Sequence, residues 1–327
     1  MAVGRVLVTA GAFWHHGQAG EAALCEAGFE VVRSPRRGAY SVDDLIPLLD
    51  GVDAVIAAVD AYVAPVFAAC PRLKIISRWG IGIDSIDLEA ATAAGVVVAN
   101  TPGTTTEAVA DYAFCLMLAA ARRVVEGEAA VRAATWPELT GPLVHGKTLG
   151  LVGYGQIGQA VARRASGFAM RVLAYDPYQT AVSGAELVGL DELLAQSDFI
   201  SLHAAVTPET RGMINAAALA RMKPSAYLIN TGRGALIDDA ALLAALREGR
   251  LAGAALDVFN REPLPADDPL REAPRCLLTP HTAYNATEAA VATSNMTAGN
   301  ILAIWHGEPA AVCNPAVLNA ANLRLKE

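Results

Sequence analysis

The chain predicts an α/β protein built from two doubly wound parallel-sheet domains. Three observations predict it. Short apolar runs, bounded by glycine, proline or charge, alternate with helical patterns from the first residues onward. A GxGxxG turn flanked by two such runs stands near residue 150, well inside the chain. Three later runs each lead into one residue able to handle a proton or an anion.

In the first third, Arg5–Ala10 (RVLVTA), Glu30–Arg33, Asp53–Val59 (DAVIAAV), Lys74–Arg78 (KIISR) and Val96–Asn100 (VVVAN) read as five strands, with helices such as Gly20–Ala27 and Leu88–Ala94 between them. Strands separated by helices pair in parallel, with helices on both faces. Asn100–Gly103 (NTPG) is a turn where the chain crosses into the second domain. Residues 104–126 then predict one long apolar helix, capped by Thr104–Thr106 with Glu107 in its first turn. Its crowded Ala113, Phe114, Leu116, Met117 and Leu118 leave it apolar nearly all round, so a partner subunit is expected to cover part of it in a homodimer. The 46 residues after His281 are too few for a domain of their own. Their helical stretch, about 287–304, is expected to return to the first sheet. The domains expected are therefore 1–101 with 285–327, and 102–284, with a site in the cleft between them and a hinge at the two crossings.

Residues 147–176 (KTLGLVGYGQIGQAVARRASGFAMRVLAYD) carry the dinucleotide fingerprint. Thr148–Val152 reads as a strand, Gly153, Gly155 and Gly158 as the turn, Gln156 to about Phe168 as a helix, and Arg171–Tyr175 as a second strand ending at Asp176. The glycines allow a tight turn, close approach of a pyrophosphate and close helix packing, while the helix N-terminus offers free N–H groups to the phosphates. Asp176 is placed to accept from adenosine ribose hydroxyls and would repel a 2′-phosphate. Pro177, Tyr178, Gln179 and Thr180 supply no cation to hold one, so the expected cofactor is NAD rather than NADP and the second domain is of the Rossmann type.

The three late runs are Ala226–Thr231 (AYLINT), Gly253–Phe259 (GAALDVF) and Cys276–Pro280 (CLLTP), followed by Arg233, Glu262 and His281. Ligands of open α/β sheets bind beyond the carboxyl ends of the strands. A guanidinium, a carboxylate and an imidazole delivered there make an anion clamp, an orienter and a proton donor. Taken singly, each has a plainer reading: a surface arginine, an exposed acid in a proline-rich loop, a capping histidine.

Composition narrows the classes. The 54% hydrophobic and 18% charged content describes a packed protein, and a formal charge of −8 argues against nucleic acid or an anionic membrane as partner. Five scattered cysteines without a CxxC suggest a reducing compartment and no metal site. The N-terminus does not read as a signal peptide, and the longest apolar stretch, Ala113–Ala121, is too short to span a bilayer. A cytoplasmic protein is the simplest expectation.

RWGIGIDSID (78–87), NTPGTTTEAVAD (100–111), the fingerprint, SLHAAVTPETRGMIN (201–215), LINTGRGALID (228–238), AALDVFNREPLP (254–265) and LLTPHTA (277–283) stand in one order along the chain. In these seven blocks the chain resembles the D-isomer-specific 2-hydroxyacid dehydrogenases nearly end to end, closest to phosphoglycerate-dehydrogenase-like members without a regulatory domain. The resemblance implies NAD(H)-dependent interconversion of a small 2-oxo acid and a D-2-hydroxy acid. It implies that Arg233 grips the substrate carboxylate, His281 exchanges a proton with the substrate oxygen, and Glu262 orients the imidazole. It further implies cofactor contacts at Gln156, Ile157, Thr207, Thr231, Gly232 and Asp257, the last holding the nicotinamide carboxamide. The amides around Gly80, Ile81 and Gly82 would bind the substrate carboxylate, and Arg78 would either read a second anionic group such as a phosphate or form a structural ion pair.

His203 is expected to line the adenosine side rather than to act as a base. His15 and His16, in a loop after the first strand, are candidate substrate-reading residues set against a plain polar loop. Tyr284 stands where many members of the family carry a small residue, which would reshape the pocket. The competing class is an NAD(H)-sensing corepressor or scaffold on the same fold.

Overall fold

Parallel strands buried on both faces need uninterrupted apolar sequence, and the chain supplies it in two separate sets. The computed structural model describes residues 2–36 and 39–326. They form two compact units, Met1–Thr105 with Asn285–Glu327, and Thr106–Tyr284.

The first stretch of unit 1 runs β1 (Gly4–Val8), α1 (Phe13–His16), α2 (Gln18–Glu26), β2 (Phe29–Arg33), α3 (Val42–Leu48), β3 (Ala54–Ala57), α4 (Ala64–Ala69), β4 (Ile75–Arg78), α5 (Leu88–Ala93) and β5 (Val97–Ala99). The five strands are parallel in the order β2-β1-β3-β4-β5. The order reverses between β1 and β3, the switch point at which such sheets open a ligand crevice. Short polar side chains cap α3 and α5: Ser41 accepts from the Asp44 N–H at 3.3 Å and Asp87 from the Ala90 N–H at 2.9 Å. Strand β3 (AVIA) is wholly buried, and its predicted span Asp53–Val59 is shortened at both ends by competing bonds. Asp53 turns to the Arg5 N–H and the Arg72 guanidinium, and the Ala58 N–H leaves the ladder for Thr9 and Asp60.

Unit 2 runs α6 (Thr106–Ala121), α7 (Val124–Arg132), β6 (Thr148–Val152), α8 (Gln156–Gly167), β7 (Arg171–Tyr175), β8 (Glu186–Leu187), α9 (Leu190–Gln196), β9 (Phe199–Leu202), α10 (Ala216–Arg221), β10 (Tyr227–Asn230), α11 (Asp239–Arg247), β11 (Gly253–Leu256) and β12 (Cys276–Leu278). Its seven parallel strands follow the order β12-β11-β10-β9-β6-β7-β8, the doubly wound Rossmann order with the reversal between β6 and β9. Val152, Leu202, Asn230, Leu256 and Leu278 are paired across the sheet, so five strands end in one row.

The single helix expected over 104–126 is two. Arg123 takes a left-handed backbone (φ 55°), which ends α6 and starts α7 in a new direction. Ala113, Phe114, Leu116 and Met117 of α6 are buried in unit 2 itself, in the core that includes Leu149, Leu151, Val161 and Ala165. Each large side chain so removed from water contributes about 1.5–3 kcal/mol, while Cys115 stays exposed and Leu118 half-buried on the same helix. The exposed apolar surface lies further on, at Val124, Val125, Val131, Trp136 and Leu143.

After unit 2 the chain returns to unit 1 with α12 (Thr287–His306), packed on α2 and β4. Small and hydroxylated residues let it lie close. The Ser77 hydroxyl donates to the Thr297 carbonyl at 2.9 Å, and the Trp79 indole N–H donates to the Ser294 hydroxyl at 2.9 Å. Among the described residues no helix is long and apolar enough to cross a membrane, and no group of three or more His, Cys, Asp or Glu could hold a metal ion.

Candidate active site

Because five strands of unit 2 end in one row, the residues that follow them share one edge of the sheet. Gly153, His203, Thr231, Asp257 and Thr279 are the first residues past β6, β9, β10, β11 and β12. Arg233, Glu262 and His281 lie within six residues of that row.

The centre is an imidazole–carboxylate pair. His281 Nδ1 lies 2.6 Å from Glu262 Oε2, while Glu262 Oε1 accepts from the Phe259 N–H at 2.9 Å. Burial pushes the Glu262 carboxyl up, but the His281 bond, the Phe259 amide and the charges of His281 and Arg233 outweigh it and hold it below its ordinary range. An ionised carboxylate only accepts hydrogen bonds, so Nδ1 carries the proton and donates it, and Nε2 is left for chemistry. Arg233 leaves the end of β10 with its Nη1 donating to the Gly232 carbonyl at 2.8 Å. The Tyr284 ring meets the His281 ring edge-on, with centroids 5.9 Å apart.

His281 has a left-handed backbone (φ 50°), uncommon for a residue other than glycine, and Asp257 shows how that is held. The Asp257 carboxylate is wholly buried. It accepts from the Thr279 hydroxyl at 2.6 Å, the Thr282 N–H at 3.0 Å and the Ala283 N–H at 2.8 Å, so one carboxylate ties down both flanks of His281. On the neighbouring strand the buried Asn230 does the same for Arg233, donating to the Arg233 carbonyl at 2.9 Å and accepting from the Gly232 N–H at 3.0 Å. Sequence reading passed over Asn230. Its signal was a polar residue closing an apolar strand three residues before the candidate arginine, Arg233.

At the other end of the row is the glycine turn. Gly153 has φ 93°, and a Cβ on Gly158 would come within 2.3 Å of the Gly153 carbonyl oxygen, so both positions exclude a side chain. A Cβ on Gly155 would meet nothing within 4 Å, so the turn is open there. The first bond of α8 runs from the Gln159 N–H to the Gly155 carbonyl, which leaves the amides of residues 156–158 pointing out of the helix end. The Gln156 side chain accepts from the Thr106 hydroxyl at 3.4 Å, and Ile157 packs against the α6–α8 core. Asp176 is fixed by the N–H groups of Tyr154 (2.9 Å) and Tyr178 (3.0 Å), each taking one oxygen and leaving lone pairs on both. The Thr207 hydroxyl donates to Glu209 in a turn after β9. His203 bonds Ser201 through Nε2 at 2.9 Å, its Nδ1 has no partner, and burial pulls its imidazole down to about 4.

In unit 1, Gly80, Ile81 and Gly82 form the loop after β4. It is anchored by the Gly80 N–H to the Thr101 hydroxyl (3.1 Å), the Thr101 N–H to the Gly80 carbonyl (3.2 Å) and the Asn100 amide to the Ile81 carbonyl (2.8 Å). Arg78 is the last residue of β4, its guanidinium against the Trp79 carbonyl. His15 and His16 end the short α1, and the His15 carbonyl accepts from the Gln18 amide at 2.7 Å.

Residues 114–283 match the family model described as the D-isomer specific 2-hydroxyacid dehydrogenase, NAD binding domain. The chain belongs to the D-isomer specific 2-hydroxyacid dehydrogenases. It is similar to a glyoxylate reductase of Korarchaeum cryptofilum, 47% identical over 255 residues that cover 75% of this chain and 77% of the relative. A D-3-phosphoglycerate dehydrogenase of Mycobacterium leprae is 45% identical over 232 residues, 69% of this chain but 44% of the longer relative. The crystal structure of a glyoxylate reductase from Paecilomyes thermophila superposes with a TM-score of 0.85 at 32% identity, covering 96% of this chain and 99% of the other.

As a member of this family the chain is an NAD-dependent D-2-hydroxyacid dehydrogenase that interconverts 2-oxo and 2-hydroxy acids. The residues present fit the cofactor. The turn at Gly155 is open, the α8 amides face outward, and Asp176 keeps acceptor capacity. The buried Thr231 hydroxyl, one step past β10, has no hydrogen-bond partner and suits a polar ligand group.

Proposed function

We propose that the protein reduces a small 2-oxo acid such as glyoxylate with NADH, and that Arg233, Glu262 and His281 carry the reaction. The observation that carries the reading is the 2.6 Å contact between His281 Nδ1 and Glu262 Oε2. When bound, NADH would supply the hydride that the substrate carbonyl carbon takes up. His281 gives its proton to the carbonyl oxygen, and Glu262 keeps the imidazole oriented and stabilises its charge before that transfer. Arg233 presents a planar fork to the substrate carboxylate. Gly153, Gly155, Gln156, Ile157 and Gly158 take the pyrophosphate, Asp176 the adenosine ribose, and Thr207, Thr231 and Gly232 further cofactor contacts. The glyoxylate reductases among the relatives support a small substrate.

The test is NADH oxidation with a panel of 2-oxo acids, beside the His281→Ala variant. Glyoxylate should be turned over, and the variant should lose about 10²–10⁴-fold in kcat while still binding NADH. Unchanged turnover in the variant would remove His281 from the mechanism.

The same reading includes a homodimer and a cytoplasmic setting. Val124, Val125 and Val131 on α7, with Trp136 at 89% exposure beyond it, form the apolar surface that supports association through unit 2. The five cysteines are free thiols, which supports a reducing compartment. A light-scattering mass near twice 34.0 kDa is expected.

A further inference from the structure

At the N-terminal ends of its strands, unit 1 carries a cavity that has no part in the reaction. Its volume is about 590 Å³, within the range of small-molecule sites, with Asp53, Arg72 and Lys74 as its polar lining and Trp305, Pro71 and Leu325 among its apolar lining. Asp53 is the residue before β3, Lys74 is the residue before β4, and Arg72 stands two residues ahead of Lys74. Open α/β sheets bind their substrates at the other, carboxyl ends of the strands. The cavity is therefore separate from any substrate crevice of this unit.

The polar groups are held in place before any ligand arrives. Asp53 is buried and accepts from the Arg5 N–H at 2.8 Å, from Arg72 Nε at 3.0 Å and from Arg72 Nη2 at 3.1 Å. That two-point grip fixes the plane of the Arg72 guanidinium and uses two of its five N–H donors, so the rest stay available. Lys74 is tied down through its backbone, its N–H donating to the Asp53 carbonyl at 2.8 Å and its carbonyl accepting from the Val97 N–H at 2.9 Å. Its ammonium stands 5.5 Å from the centre of the Trp305 ring, and among the described residues no carboxylate pairs with it. Trp305 is braced in turn, edge-on against Phe29 with centroids 5.1 Å apart. Two cations against one carboxylate leave this lining with a positive charge in excess, on a chain whose formal charge is −8.

We propose that this cavity is a binding site for a small organic anion carrying a flat apolar group: Arg72 and Lys74 take the anion, and Trp305, Pro71 and Leu325 take the flat group. A guanidinium fork beside an ammonium recognises phosphate or carboxylate oxygens, and an indole beside a proline offers apolar area to a ring. A phosphate ester, with about −1.5 to −2 charges, is preferred over a carboxylate with one, because the lining has a single positive charge to spare and an arginine with unused donors.

Phenyl phosphate is the probe, titrated calorimetrically into the full chain saturated with NADH, so that the nucleotide site is already filled. One equivalent should bind, and binding should weaken as salt is raised, since exposed charges are screened over about 10 Å at 0.1 M. Lys74→Met keeps the stem of the side chain and removes its charge, and it should weaken phenyl phosphate binding on the order of tenfold. Three ligands give the same answer on the wild type alone. Benzoate should bind more weakly than phenyl phosphate, inorganic phosphate roughly fivefold more weakly for want of the ring, and neutral benzyl alcohol not at all. Absence of phenyl phosphate binding up to millimolar concentration would overturn the proposal. So would equal affinity in the wild type and Lys74→Met, or equal affinity for phenyl phosphate and inorganic phosphate. None of these results bears on the dehydrogenase reading, which uses other residues.

Discussion

Replacing Glu262 by Gln keeps the shape of the side chain and removes its charge, which isolates what the carboxylate does for His281. In the wild type the pair is 2.6 Å apart, the length of a charge-assisted hydrogen bond, and the Phe259 amide holds the carboxylate from the other side. A charged bond of this kind is worth about 1.5–3 kcal/mol and a neutral one about 1, so the substitution should cost roughly 0.5–2 kcal/mol of imidazolium orientation and stabilisation. That corresponds to a fall of about 2–30-fold in kcat/KM for glyoxylate reduction, with NADH affinity unchanged. The pH profile carries a second signature. The folded Glu262 carboxyl is held below its ordinary value of 4.5, so its negative charge survives as pH falls through the range where a free glutamate protonates. The wild-type reduction rate should therefore persist to about pH 4.5 and be lost below it, as Glu262 takes up a proton. The Gln variant has no carboxyl to titrate and should lack this limb. Stopped-flow measurement of NADH oxidation between pH 4 and 8 gives both quantities. A Gln variant with wild-type kcat/KM and an identical acid limb would refute the role given to Glu262.

Asp176→Ala should narrow the preference for NAD over NADP, read from the ratio of kcat/KM values for NADH and NADPH, and a wild type using both equally would contradict the role given to that acid. Asp257→Asn cannot accept all three of its bonds. It should lower kcat by loosening the 279–283 loop and depress Tm by several degrees; an unchanged kcat would show that the loop holds His281 without it. His203 should make the protein acid-sensitive. Its imidazole is pulled down to about 4 in the fold against 6.5 outside it, so its neutral form is compatible with stability above about pH 6.5. Between pH 6.5 and 4 the unfolded chain binds the proton first, and on the order of 2–3 kcal/mol should be lost, visible as a smaller fall in urea midpoint for His203→Asn over the same range.

Much of the site was legible in the residues because it is local. GxGxxG, the two strands beside it and Asp176 lie within thirty residues, and β6 and β7 occupy Thr148–Val152 and Arg171–Tyr175, the spans expected from apolar pattern alone. The apolar runs before Arg233, Glu262 and His281 became β10, β11 and β12, each ending short of its predicted limit. The reason is visible at β11, where Asp257 leaves the strand to collect donors from residues 279–283, partners that no local pattern announces.

What the sequence determined by itself is therefore the class of chemistry, since side-chain type and short spacing already point to a phosphate turn and to the candidate roles of Arg233 and His281. Tertiary structure alone decided which of these groups are held and by what. The strand register sets five strand ends in one row, so that Asn230, which the sequence reading passed over, and Asp257, which it expected as a cofactor contact, anchor the backbone beside Arg233 and His281. It also decided which residues of α6 its own unit buries, because an apolar helix looks the same in sequence whether a sheet or a second subunit covers it. And it brought Thr9 and Asp60 together beyond the ends of β1 and β3, a buried contact set by long-range pairing.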